Sequence, residues 1–166
     1  MDTKTTLLTT GIISTGLMAG LLYGWTVSVI PGLRRVTDET YISTMQDINR
    51  AIINPAFIIP FMGIPVVLGG AAIVHFRSGD ARRGWLLTAA TLTYVVGVLG
   101  VTMGRNVPLN DALDAFDMRS ATQSALTDRR QNYEAPWNSW HYLRTGANVA
   151  SFALASAAAL VAASTD

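Results

Sequence analysis

Four stretches of the chain, about 7–30, 55–74, 85–103 and 143–163, are apolar for some twenty residues each. Helix of that length rises about 30 Å, the thickness of a hydrocarbon core, so each stretch predicts a membrane-spanning helix. Between them the pattern changes. In the first linker Tyr41, Met45, Ile48 and Ile52 recur at helical spacing, and in the third Leu109, Leu113 and Phe116 do the same. Both predict amphipathic helices at the membrane surface or over the mouth of the bundle. The second linker, "HFRSGDARRG", is a plain turn with three arginines. The expected fold is all-α: an integral membrane four-helix bundle, one domain over 1–166, with amphipathic helices in the two long linkers on one face. A signal peptide in place of the first span is the weaker reading, since the span exceeds a usual apolar region and "GWTVSVIPGLRRV" offers no small-residue cleavage site.

The spans carry marks of close packing. Gly16, Gly20 and Gly24 form overlapping GxxxG units in the first, and Gly97, Gly100 and Gly104 line the third. Packing within the monomer accounts for both rows, and a homo-oligomer through the glycine-rich spans is the alternative. In the second span Pro55 suits a first helical position after an Asn54 cap, whereas Pro60 and Pro65 are expected to kink the helix. The run Asp111, Asp114, Asp117 invites a metal site, but at spacings of three it reads as a solvated face opposite Leu113 and Phe116.

The fourth span opens on "WNSWHYLRTGAN". On a helix Trp137, Trp140, His141, Arg144 and Asn148 fall within an arc of about 100°. That face is either a membrane-interface anchor or the wall of a site. Paired tryptophans and a snorkelling arginine are usual at interfaces. Asn148, however, sits roughly 6 Å deeper than Arg144 on the same stripe, where polar side chains face the bundle rather than lipid.

Composition supports the membrane: 50% of residues are hydrophobic and 14% charged, with a mean hydropathy of +0.33. A soluble bundle of unusually apolar helices is the competing reading. The net charge of +1 gives no reason to expect a nucleic-acid partner. Without cysteine, disulfides, thiolate catalysis and cysteine-ligated metals are excluded.

With four spans, the end of the first, the start of the second, the end of the third and the start of the fourth share one side of the membrane. Asn49, Asn54, Arg105, Asn106, Asn110, Trp137, Trp140, His141, Arg144 and Asn148 thereby become candidates for one pocket at one mouth. The segments "GWTVSVIPGLRRV", "MQDINRAIINPAF", "VTMGRNVPLNDAL" and "WNSWHYLRTGANVASF", in that order, resemble the anthrone oxygenase family of small four-span membrane proteins. The resemblance implies an integral protein of a bacterial plasma membrane that oxygenates an anthrone to an anthraquinone. It also implies a pocket of Asn54, Asn106, Asn110, Trp140 and Arg144.

The residue types fit that chemistry. An anthrone has an acidic methylene, and its carbanion passes an electron to dioxygen without a cofactor. His141 is a candidate base, Arg144 and the asparagine amides candidate holders of the oxyanion, and Trp137 and Trp140 candidate stacking partners for a flat, lipophilic aromatic or quinone-like substrate. No metal ligand set is required. Haem is the alternative cofactor. Two-histidine ligation is disfavoured because His75 ends the second span and His141 begins the fourth, at opposite faces of the membrane, which leaves His141 as the candidate single axial ligand. A non-catalytic membrane subunit docking a partner is the reading from a different class.

Overall fold

The computed structural model describes residues 2–161. They form five helices: α1 (Thr3–Leu33), α2 (Asp38–Ala51), α3 (Pro55–Arg77), α4 (Ala81–Asp114) and α5 (Gln123–Leu160). A 3-10 turn, Met118–Ser120, lies between the last two. Among the described residues there is no strand.

Each helix starts on an oxygen-bearing side chain that accepts an otherwise orphaned backbone N–H: Asp2, Thr37, Asn54, Asp80 and Thr122. Pro55 follows its cap as expected, and α3 carries Pro60 and Pro65 without a break. The tight turn from α3 to α4 passes through Gly79 at φ +82°, a conformation that a side chain would strain.

The long helices α1, α3, α4 and α5 pack in that ring order, α5 closing against α1. Their shared core contains Met18, Phe61, Ile64, Leu68, Leu87, Tyr94, Val98 and Ala155. The outward faces carry Leu17, Ile59, Val66, Leu92 and Val96, all exposed, which is the surface that a hydrocarbon solvent favours. Three helices, α1, α3 and α4, are long and apolar enough to cross a membrane. The fourth expected span falls on the second half of α5, where Arg144 and Asn148 dilute the apolar character, and its last two positions lie outside the described residues.

The first linker forms its helix as expected, with Tyr41, Ile42 and Met45 buried. The third forms its helical segment too, Val107–Asp114 with Leu113 buried, as a continuation of α4. α5 begins at Gln123, so the polar sequence extends both long helices beyond the core. These extensions and α2 enclose a second core of Tyr41, Ile42, Met45, Leu113, Leu126, Tyr133 and Trp137. Gln46 on α2 donates to the carbonyls of Leu113 and Phe116, which closes the end of α4. Arg130 on α5 ties the layer together. It pairs with Asp38 at 3.1 Å and Glu134 at 2.7 Å and donates to the carbonyls of Leu33 and Val36.

Two helices depart from the α register just before a proline. In α1 the turn Trp25–Val29 and in α4 the turn Thr102–Asn106 are π-helical. Pro31 and Pro108 have no N–H to donate, and their rings clash with the carbonyl four residues back. Widening the turn relieves the clash: Ile30 N–H bonds back to Trp25 and Val107 N–H to Thr102, five residues earlier.

The glycine rows separate by role. A Cβ at Gly97 would fall on Ala147 of α5, and one at Gly16 would meet the Phe152 ring at 3.1 Å, whereas Gly20, Gly24 and Gly104 face open space. Gly97→Ala is therefore expected to destabilise the protein in detergent by about 1–3 kcal/mol, the usual cost of overpacking. Gly104→Ala should be near neutral in the same thermal melts.

Candidate functional site

A cavity of about 330 Å³ lies among α1, α2, α3, α4 and α5, with Phe61 of the lower core and Trp137 of the upper core both in its wall. The volume is within the range of small-molecule sites. Most of the wall is apolar, including Leu21, Trp25, Ile52, Phe57, Phe61 and Met103. Polar groups enter from three elements: Asn49 and Arg50 on α2, Thr102, Asn110, Asp111 and Asp114 on α4, and His141 and Arg144 on α5. Leu21, Ile53, Ile58 and Met103 line the cavity and are exposed on the outside, so its opening is flanked by apolar surface.

The α5 wall is a column of rings one turn apart. Tyr133 stacks on Trp137 at 6.2 Å and Trp137 on His141 at 5.0 Å with their planes only 8° apart. Trp25, brought in by the widened turn of α1, lies 5.9 Å from Trp137 and 6.5 Å from His141. The guanidinium of Arg144 folds back over Trp137, 5.1 Å from the ring centre.

His141 is fully buried, and its surroundings assign its tautomer. Nε2 is 3.2 Å from the Leu22 carbonyl, 3.1 Å from Thr26 Oγ1 and 3.4 Å from Thr145 Oγ1. The Thr26 hydroxyl donates to the Leu22 carbonyl and the Thr145 hydroxyl to the His141 carbonyl. All three neighbours of Nε2 are therefore acceptors towards it, and Nε2 carries the proton. Nδ1 is left with its lone pair, which accepts from Arg144 Nη2 at 3.2 Å and Nε at 3.4 Å.

Arg144 donates further to Thr102 Oγ1 at 3.3 Å. Among the described residues no carboxylate lies within 4 Å of it. Glu134 is taken by Arg130 and Arg34, and Asp114 by Arg50 at 2.7 Å. Two half-buried arginines of α5 are thus opposites: Arg130 has two acids, and Arg144 has only neutral partners and the cavity.

The expected site residues part company. Trp137, His141, Arg144 and Asn110 come together in the cavity wall. Asn110 Oδ1 accepts from both Tyr133 Oη and Trp137 Nε1, which fixes the ring column against α4. Asn54 spends its side chain on its own turn, accepting from Phe57 N–H and donating to the Ala51 carbonyl. Asn106 is buried and donates to the Trp137 carbonyl, and Trp140 lies outside under Arg105. Asn148 is fully buried in the bundle and does not line the cavity, with neither amide atom partnered. The site also uses residues that periodicity did not single out: Leu22, Trp25, Thr26 and Thr102.

The π turn explains the α4 contribution. A π turn acts as a one-residue insertion, so Asn110 stands about seven effective positions from Thr102, roughly 20° off its direction, and Asp111 about 80° off. In an uninterrupted helix Asp111 would face away from Thr102.

Haem does not fit these residues. Both ring nitrogens of His141 are engaged, so none is free for an iron. No three histidine, aspartate or glutamate side chains gather as a metal site among the described residues.

Membrane-length helices surround a laterally flanked apolar cavity whose wall carries Arg144, a cation with no carboxylate within 4 Å among the described residues, and together they define a helical protein of membrane type. The chain belongs to the anthrone oxygenase family, whose family model matches residues 53–154. The match takes in α3, α4 and most of α5, and leaves Leu22, Trp25 and Thr26 outside it. No curated protein and no solved structure matches the chain.

Long-range proton–nitrogen spectra of histidine-labelled protein at neutral pH are expected to show His141 as the neutral Nε2–H form. Thr26→Val should weaken that preference. An Nδ1–H signal would mean that Arg144 is not held as described.

Proposed function

We propose that the protein is a membrane oxidoreductase that oxygenates a flat, lipophilic phenolic aromatic of the anthrone type, taken from the bilayer. All four long helices cross the membrane in this reading, in the plasma membrane of a bacterium. The observation that carries it is Arg144: a guanidinium at an apolar cavity, held by an imidazole lone pair, a hydroxyl and a ring face, with no carboxylate within 4 Å among the described residues. Moving a cation out of water is costly unless its charge is answered. An anionic oxygen of the ligand answers it, through the guanidinium N–H groups that His141 and Thr102 leave free.

Family membership supports the reaction class. Ring-bearing walls from Trp25, Phe57, Phe61 and Trp137 suit a fused-ring substrate. The exposed apolar residues at the opening suit entry from lipid. As the substrate loses its methylene proton, charge moves onto its carbonyl oxygen. Arg144 stabilises that oxyanion more than the neutral ketone, and such differential binding lowers the barrier. Electron transfer to dioxygen and recombination at the carbon then lead to the quinone and water.

A second reading rests on Gly20 and Gly24, which leave an open small-residue face on α1. There a helix of a partner, or of a second copy of the chain, docks without any chemistry.

The two readings separate experimentally. With dithranol, a dihydroxylated anthrone, oxygen uptake above the spontaneous rate is expected to fall by about 100-fold to 1,000-fold in Arg144→Ala, the usual loss for a removed oxyanion donor. Gly20→Leu should leave that rate intact. Loss of complex integrity in Gly20→Leu, together with no oxygen uptake by the unaltered protein, would favour docking.

A further inference from the structure

The proposed oxygenation needs a group that accepts the methylene proton, and the buried histidine is badly placed to be it. The lone pair of His141 lies on Nδ1, 3.2 Å from a guanidinium nitrogen. A proton arriving there would displace Arg144 and set two cations side by side in an apolar wall. His141 is a positioning residue. It takes its orientation from Leu22 and Thr26 on α1 and passes it to Arg144.

The geometry points to Asp111 as the proton acceptor, so that the cavity carries a base and an oxyanion holder at its two ends; this assignment rests on the function proposed above. Three carboxylates occur along this stretch of α4 and the turn after it. Asp117 caps the 3-10 turn through Arg119 N–H and Ser120 Oγ, and Asp114 is bound to Arg50 at 2.7 Å. Asp111 lines the cavity, and no cation lies within 4 Å of it among the described residues. Its lone pairs are open to a ligand. Its neighbour Asn110 is clamped by Tyr133 and Trp137, which holds this turn of α4 against the ring column.

The separation suits the task. Thr102, the α4 contact of Arg144, and Asp111 are nine residues apart, about 13 Å along the axis. The long arginine side chain and a fused-ring substrate span that interval. In an anthrone the carbonyl oxygen and the acidic methylene are on opposite edges of the central ring, so one molecule can meet Arg144 with the first and Asp111 with the second.

The steps balance with dioxygen as co-reactant. Asp111 takes a proton as the methylene C–H bond breaks, and the electron pair moves into the ring system onto the oxygen at Arg144. Dioxygen accepts an electron from this anion and recombines at the same carbon to give a peroxide anion, which Asp111 reprotonates. Asp111 then removes the second proton from that carbon as the O–O bond breaks. The departing hydroxide takes this proton from Asp111 and leaves as water, with the quinone formed and the carboxylate restored.

Asp111→Asn keeps the shape of the side chain and removes the base. Cavity occupancy is read by quenching of the tryptophan fluorescence on adding the anthraquinone that corresponds to dithranol, and turnover by oxygen uptake with dithranol itself. Asp111→Asn is expected to bind the quinone within about twofold of the unaltered protein while oxidation falls by about 100-fold to 10,000-fold, the range for loss of a positioned base. Asp111→Glu should recover part of the rate. Substrate deuterated at the methylene should slow the unaltered protein. If the unaltered protein oxidises dithranol and Asp111→Asn does so within about threefold, or if Asp111→Asn loses quinone binding, Asp111 is not the base and the proposed function stands. If the unaltered protein neither binds the quinone nor speeds oxidation, the proposed function fails first and this assignment falls with it.

Discussion

The contact on which the site depends is the one between the guanidinium of Arg144 and Nδ1 of His141. It exists only because Nδ1 is free of hydrogen, and Nδ1 is free only because the Leu22 carbonyl, Thr26 and Thr145 all require a donor from Nε2. Three acceptors on two helices thus decide where a cation on α5 points. Arg144 in turn reaches Thr102 on α4 and the face of Trp137. A rotation of α1 that withdrew Leu22 would free Nε2, release the tautomer and let the guanidinium swing away. The charge stays available because every one of its partners is neutral.

The backbone that permits this contact is irregular for a local reason. Pro31 and Pro108 sit two positions beyond widened turns, and those turns deliver Trp25 and Thr26 on one helix and Thr102 on the other. In both cases a residue that cannot donate a hydrogen bond changes the register of the turn before it, and the site is built from that turn. The upper layer then encloses the result. Arg130, with two carboxylates and two carbonyls, spends its charge on holding α1, α2 and α5 together. Two arginines fourteen positions apart on one helix therefore differ in their partners: Arg130 is spent on carboxylates, and Arg144 has none within 4 Å among the described residues.

How much of this was legible depended on periodicity. The apolar runs on α1, α3 and α4, the Asn54 cap and the amphipathic first linker follow from spacing and residue type alone. So does the grouping of Trp137, His141 and Arg144, which share a helix face. Thr26 and Thr102 are not visible in the sequence, because a π turn shifts which residues share a face and leaves no dependable mark in an apolar run: two of these turns precede a proline, and the one at Val95–Gly100 does not. Asn54, Asn106 and Asn148 looked like companions of Arg144 because all are polar near one mouth. Sequence does not reveal whether an amide is spent on its own helix, as in Asn54, or buried beside a neighbour, as in Asn106. The polar linker between the last two spans read as a separate surface helix because hydropathy marks where lipid ends, not where a helix does.

Under the proposed function, the substrate reaches this cavity from lipid and arrives neutral, because crossing hydrocarbon as an anion is prohibitively costly. The site therefore cannot recruit by charge, despite holding an arginine without a carboxylate. The apolar walls select a flat ring system, and the guanidinium gains its full effect only when the bound molecule ionises. A fixed cation in a low-dielectric wall that is answered only by an anion formed in place stabilises the ionised state over the entering one. Stacked rings and a hydrogen-bonded imidazole hold that cation without neutralising it. A carboxylate beside Arg144 would answer its charge in the empty cavity, and under the proposed function it would remove the electrostatic reason for a substrate to lose its proton there.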